Sequence, residues 1–398
     1  MAGLRDRRPR PQIPLTTVWL CVFAMFALRL PSFHALEGEL RQGRGWPRWA
    51  GSRRLPSADT VGRVLAGAAL EEQRRLLARL TRRAWRAKAI HGRPGETYRV
   101  VAVDGHELWA SRARCCAECL TRDVPRSDGC PVREYYHRVV VAQWVGVTPP
   151  AILDLERIRP GEGEVVAARR LVTRIVQSAG RLLDVITADA LYLEAPFIDT
   201  VLAAGKHIVI VMKQEARELY QDAERLRALA PPQVLQDGPR TTRLWDLPAL
   251  ESFTTLGRPV RVVWAAEQTV RRRRVGGVLR EGIEAGEWVW VTDLPPGVVP
   301  AAKIQRWGHD RWDLENRGFN ELSTLWHMDH CFRHDPTATE GLLLTLAAAF
   351  LLTSLFYERN LKAGEQRPRT RLALAARLRE EFALLAGATV WPEVQRSD

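Results

Sequence analysis

The sequence predicts an α/β fold: a mixed β-sheet flanked by helices, with a β-rich insertion and a helical N-terminal region. Three observations carry this expectation. Between Tyr98 and Lys213, short runs rich in β-branched residues alternate with amphipathic helical segments. At 214–298 that alternation breaks, and strand-like runs follow one another among polar and Pro-rich connections. Residues 15–90 show helical periodicity and no strand-like run, apart from an irregular stretch at 38–54. The expected organisation is a helical N-terminal region at 1–97, a sheet-forming core at 98–213 and a β-rich insertion at 214–298. The core resumes at 299–360, and a basic helix closes the chain at 361–398.

The N-terminal elements come first. An apolar helix is expected over 15–30 and an irregular loop, rich in Gly and Arg, over 38–54. Ser57 or Asp59 can cap the next helix. From Leu70 to Ile90 a helix turns Leu76, Leu77 and Leu80 inward and shows arginines from Arg74 to Lys88 on its other face. Strands follow at Tyr98–Leu108, Tyr136–Gly146 and Ala151–Leu155, then a helix at Glu162–Ser178. Asp184–Asp189 reads as a short buried strand, Leu193–Ala204 as a helix and His207–Lys213 as another strand. In the insertion, Val260–Ala265 and Trp288–Thr292 read as strands. Arg271, Arg272, Arg273 and Arg274 lie between them, as at a solvent-facing hairpin tip. Helical periodicity returns from Pro300 to about His330, then in an apolar run at Gly341–Tyr357, and last at Thr370–Leu385.

The charge balance narrows the partners. The chain has 59 basic and 46 acidic residues, a net +13, and a surplus of that size favours a polyanion such as nucleic acid. Only five of the basic residues are Lys, so arginine usage contributes to the total. The basic, Pro-containing start leads to no small-residue cleavage site, which argues against a secretory signal and for a reduced, cytoplasmic setting. Val18–Leu28 is too short to span a bilayer, and Gly341–Tyr357, with Thr345, Thr353 and Ser354, reads as a buried core helix.

Three carboxylates carry the chemistry. Asp104 ends the apolar run Val100-Val101-Ala102-Val103, and Gly105 then turns the backbone away. Asp189 ends Val185-Ile186-Thr187-Ala188 in the same way. An unpaired carboxylate is a costly core residue unless a cation meets it. Glu315 lies on a helix in which Arg311 stands four positions earlier on the same face, while Trp312, Phe319 and Leu322 can anchor that helix to the sheet. Two acids at the ends of neighbouring strands and one from a packed helix can hold Mg²⁺ through oxygen ligands. Two such ions about 3.5–4 Å apart would activate a nucleophile and stabilise a leaving oxygen in phosphoryl transfer.

Val-Asp-Gly at 104, Thr-Ala-Asp-Ala-Leu-Tyr at 189 and Arg-Trp-Asp-Leu-Glu-Asn at 315 resemble the DDE transposases of bacterial insertion sequences. The resemblance is to the branch with a β-rich insertion before the third acid, and it covers most of 99–357. It implies an RNase H-like core in which Asp104, Asp189 and Glu315 bind Mg²⁺ or Mn²⁺. It also implies nicking at the element's terminal inverted repeats, then attack of the freed 3′-OH on target DNA. A homodimer on DNA, in the nucleoid, is the expected assembly, with no membrane. The family's helix motif has Tyr three positions before the Arg and Lys seven after the Glu; here those positions are Gly308 and Leu322. Arg311 and Lys213 are therefore the expected DNA contacts near the site, with Arg271–Arg274 further out.

A second constellation is separate. Cys116 and Cys119 form a CxxC, with Cys130 and His137 downstream, and four Cys/His ligands suit a structural Zn²⁺. Cys115 could substitute for one of them. His327, His330 and His334 read as helix-end residues and not as ligands. Two other readings of the whole chain stand beside the transposase. One is a catalytically inactive DNA-binding relic of the same fold. The other is a membrane-associated protein, which needs both apolar runs on the surface.

Overall fold

The computed structural model describes residues 6, 8–42, 45–126, 129–213, 215, 217–275, 278–361 and 370–385. Five helices open the chain: α1 (Leu15–Ala27), α2 (Phe33–Gln42), α3 (Trp46–Trp49), α4 (Ala58–Ala66) and α5 (Leu70–Arg86). The stretch expected as a loop at 38–54 thus holds helical turns. Phe33, Leu36 and Leu40 share one face of α2 and are buried, so tertiary packing outweighs the cost of Gly38. Ser57 caps α4 through the Thr60 amide, as its position suggested.

The strands are β1 (His91–Gly92), β2 (Val100–Ser111), β3 (Leu120–Val124), β4 (Val132–Trp144), β5 (Val147–Thr148) and β6 (Ala151–Arg157). Helix α6 (Glu164–Ala179) leads to β7 (Val185–Ala188), and α7 (Ala195–Ala203) to β8 (His207–Val211). Among the described residues, strands β1 and β5 form a separate pair. In the main sheet, β6, β4, β2, β7 and β8 lie in that order. The first three are antiparallel, whereas β7 and β8 run parallel to β2. This is the RNase H-like arrangement that the resemblance implies. The helical crossovers α6 and α7 are what the parallel pairings require.

The insertion does not stand apart from this sheet. After α8 (Glu218–Leu229) come β9 (Gln233–Asp237), β10 (Arg240–Leu250), β11 (Val260–Val275) and β12 (Val278–Thr292), a meander whose last strand pairs antiparallel with β8. The strands β11 and β12 run well beyond the apolar stretches expected, because cross-strand pairing continues through Arg271–Arg274 toward the turn. Residues 276 and 277 at that turn lie outside the described residues.

The last helices are α9 (Ala301–Asp310), α10 (Asn320–Trp326), α11 (Pro336–Arg359) and α12 (Arg371–Leu385). The single helix expected from Pro300 to His330 is interrupted at Arg311 and ends at His327, which is left-handed (φ 58°). Between α9 and α10, Leu314–Phe319 is a π-helical segment. α11 is capped by the Asp335 side chain on the Ala338 amide, with Pro336 at its first position. It is apolar on all sides because it packs against α1, α4, α5 and β6 together. By length and mean hydropathy (1.7) it could cross a membrane, but 83% of that window is buried inside the protein. Val18, Cys21, Val22 and Met25 of α1 are fully buried as well, so neither apolar run has the exposure that the membrane reading needs.

Candidate active site

The register of β2 against β7 sets the first two acids side by side. Val103 pairs with Ala188, so Asp104 and Asp189 occupy the next positions along two adjacent parallel strands. Beyond β7 the chain enters a short 3₁₀ turn, where Asp189 accepts from the Leu191 amide at 2.9 Å. Asp104 accepts from the Gly105 amide at 2.9 Å. Burial pushes the Asp104 carboxyl up to about 6, opposed by Arg311 and reinforced by the neighbouring negative charges of Asp189 and Glu164.

Glu315 arrives on the π-helical segment, and several contacts fix that segment against the sheet. Gln143 of β4, fully buried, donates to the Asp313 carbonyl at 3.3 Å, and the Gly146 amide donates to the Asp313 side chain at 3.2 Å. Phe319 stacks on His106 of β2 with ring centroids 4.5 Å apart. Arg93 holds Asp310 through two hydrogen bonds at the end of α9. The Gln143 amide thus meets a backbone carbonyl at the N-terminal boundary of the i→i+5 segment.

Arg311 joins the acids. Its Nη1 donates to Asp104 Oδ2 at 3.0 Å and to Glu315 Oε1 at 2.7 Å, so both carboxylates lie within hydrogen-bond reach of one nitrogen. Arg311 is buried, whereas the Glu315 side chain is half exposed. A cation between two carboxylates is what a hard-metal donor set attracts, and the oxygen-only chemistry of Asp104, Asp189 and Glu315 suits Mg²⁺ or Mn²⁺.

A fourth carboxylate was missed from the sequence. Glu164, first residue of α6, accepts from the Tyr192 hydroxyl at 2.8 Å and from Arg138 Nη2 at 2.7 Å, next to Gly105. The turn expected at Gly105 is absent, since β2 runs on through it to Ser111 in register with β4; a Cβ at 105 would collide with the Glu164 carboxylate, so that glycine makes room for an acid instead. The available signal was an acid opening the helix that follows an apolar strand.

The motif departures have a structural cause. Trp290 of β12 fills the space beside Gly308, where a Cβ would collide with its indole. Leu322 is buried in the core, where a lysine would lose its hydration. Lys213 is exposed just past β8, on the same pole of the sheet as Asp104 and Asp189. Arg271 and Arg272 are exposed, as expected of the hairpin, but each meets a glutamate across it, Glu284 at 3.0 Å and Glu281 at 2.7 Å. Arg274 is exposed beside them, and the side chain of Arg273 lies outside the described residues.

Two expectations need correction. Arg74 does not face outward: it is buried between Asp154, Glu340 and Glu71. Cys130 and Cys115 are both exposed and stand outside the Cys/His cluster, which His334 completes instead. Cys130 lies in the connection beyond β3, whereas the short link before α11 folds back onto β2 and β4 and carries His334 inward. His327 and His330 remain outside the cluster.

Residues 160–352 match the family model of the transposase DDE domain, a span that includes Asp189 and Glu315 and begins after Asp104. No curated protein matches the chain significantly. With the RNase H-like sheet and the acids on its adjacent strands beside that match, the chain is similar to the DDE transposases over this part of its core.

Proposed function

We propose that the chain is a transposase that binds the terminal inverted repeats of an insertion sequence, cleaves DNA at its ends and joins each freed 3′-OH to a target phosphodiester, whose own 3′-oxygen leaves. Asp104, Asp189 and Glu315 are the catalytic carboxylates and would hold Mg²⁺ or Mn²⁺. When bound, the ions would supply Lewis-acid stabilisation of the phosphoryl oxygens and a nucleophilic oxygen at neutral pH. The observation that carries this reading is the meeting of Asp104 and Glu315 on Arg311, with Asp189 in register on the adjacent strand.

The chain's own residues have distinct tasks. Asp104 and Asp189 are fixed by parallel-strand register and backbone amide bonds, so little reorganisation is needed to bring their oxygens together. Glu315 is the acid that can move, being half exposed on a π-helical segment. Arg311 neutralises the acids before DNA arrives and can then turn to a phosphate. Lys213 and Arg271–Arg274 would contact DNA backbone around the site. Two element ends need two active sites, which a homodimer in the nucleoid would provide.

The test is cleavage of labelled DNA carrying the flanking inverted repeats, with and without Mg²⁺. Metal-dependent cuts at the repeat ends are expected. Asp189→Ala should abolish cleavage while DNA affinity holds or rises, since negative charge is lost. Cleavage by Asp189→Ala at the wild-type rate would sink the catalytic assignment. A wild-type protein that binds the repeats but never cuts would instead favour the inactive relic.

A further inference from the structure

Away from the carboxylates, four metal-ligating side chains from three parts of the chain meet at one point. Cys116 and Cys119 lie on the connection between β2 and β3, His137 sits midway along β4, and His334 lies on the link before α11. Their ligand atoms all fall within 4.8 Å of one another. Cys116 Sγ and Cys119 Sγ are 3.6 Å apart, and each is 3.4 Å from His137 Nε2. Cys119 Sγ is 3.1 Å from His334 Nε2.

These separations resemble the edges of a zinc tetrahedron. With Zn–S of about 2.3 Å and Zn–N of about 2.0–2.1 Å, the S···S edge is about 3.8 Å and the S···N edge about 3.5 Å. Both histidines offer Nε2, and Trp109 packs against both rings, with centroids 4.9 Å from His137 and 4.5 Å from His334. Two thiolates and two imidazoles leave no open coordination position, which is the mark of a structural rather than a catalytic zinc.

We propose that Cys116, Cys119, His137 and His334 bind one structural Zn²⁺ that clamps the chain leaving the Glu315 segment onto the strands β2 and β4. His334 follows α10, so the clamp joins the far end of the Glu315-bearing stretch to the strand that carries Asp104. Contacts near the clamp reach the same region: His106 of β2 bonds to Asp329 at 2.7 Å and to Ser323 at 3.3 Å. Loss of the ion would loosen the placement of Glu315 without removing a catalytic group. The proposal is independent of the Mg²⁺ reading, and either can fail alone.

The experiment is metal analysis of the purified full chain, followed by exchange of the bound ion for Co²⁺. One zinc per chain is expected, and the Co²⁺ form should show thiolate-to-cobalt charge transfer with the visible bands of a tetrahedral site. Cys130→Ser should keep both signals, whereas Cys116→Ser and His334→Ala should lose them, and His334→Cys should restore them. That last variant separates a lost ligand from a failure to fold. Chelation of the wild-type zinc should lower the melting temperature, and Zn²⁺ should restore it. A chain that purifies without zinc and takes up no tetrahedral Co²⁺ overturns the proposal. So does full metal content in His334→Ala, or its loss in Cys130→Ser.

Discussion

Asp104 is a residue whose function and stability pull in opposite directions. Its ordinary carboxyl value is 3.8, and in the fold it sits near 6. The folded chain therefore holds this proton more tightly than the unfolded chain does. The metal-free fold is penalised by this group above about pH 6 and relieved as pH falls from there toward 4. Asp104→Asn should accordingly raise the melting temperature of the metal-free protein at pH 7.5, and the gain should fade toward pH 4. A gain that ignores pH, or a loss at pH 7.5, would show that pairing with Arg311 outweighs burial. Gly308 offers a second test at this scale. Gly308→Ala should cost about 1–3 kcal/mol in denaturant unfolding, because the Trp290 indole must move to admit a methyl group. Replacing Trp290 by the smaller Phe in the same chain should recover part of that loss, whereas strictly additive losses would place the strain elsewhere.

Among the elements, α5, α6, α11 and β6 are tied by buried charge. Asp154 and Glu156 project from the same face of β6, since they stand two positions apart. Asp154 meets Arg174 at 2.7 Å and Arg74 at 3.3 Å, Glu156 meets Arg170 at 2.7 Å, and Glu340 of α11 meets Arg157 at 3.0 Å and also Arg74. Removing one member strands its partners in a dry site. Glu340→Gln should therefore destabilise by about 3 kcal/mol, measured by urea unfolding. An effect below about 1 kcal/mol would mean that Asp154 and Glu71 satisfy Arg74 without it. The outer face of α5 differs: Arg75, Arg79, Arg83 and Arg86 form an exposed stripe at helical spacing. If this stripe lies on DNA, each phosphate contact removed by an Ala substitution should lower the slope of log K against log[salt] by about 0.9. Substituting Arg271 and Arg272 should change the slope less, since both already meet glutamates. An unchanged slope after all four α5 substitutions would make the stripe a solvated face.

At the scale of the whole molecule, one continuous sheet runs from β3 through the strands that carry Asp104 and lead to Asp189, and on to β9. Because β12 pairs with β8, the insertion is braced against the strand next to Asp189, and its long hairpin extends from the core as part of the same sheet. The central helix α11 closes the other side, joining the N-terminal helices to β6. DNA held by α5 or by the β11–β12 hairpin would thus be registered to the carboxylates through packed structure rather than through a free linker.

The apolar runs leading to Asp104 and Asp189 were legible in the sequence as local β-branched patterns, but only β7 stops there: β2 continues through Asp104 and Gly105 to Ser111, because pairing with β4 carries it on. Also legible were the i, i+4 pairing of Arg311 with Glu315 and the buried character of Gly341–Tyr357, each set by spacing or composition within one element. Tertiary structure alone decided what distant segments do to one another. Glu164 reaches Asp104 only because α6 packs back over β2 at Gly105. His334 replaces Cys130 beside the CxxC because the link before α11 folds onto β4, a contact with no signature in spacing. Arg74 turns inward because two acids on other elements meet it there, although its own helix would equally permit exposure. The π-helical segment under Glu315 is likewise held by a distant residue, Gln143 of β4, on the Asp313 carbonyl. Local periodicity reports which face of an element is apolar. Which polar side chain finds a partner on that face depends on the energy of burying it, and that is fixed only when the elements are assembled.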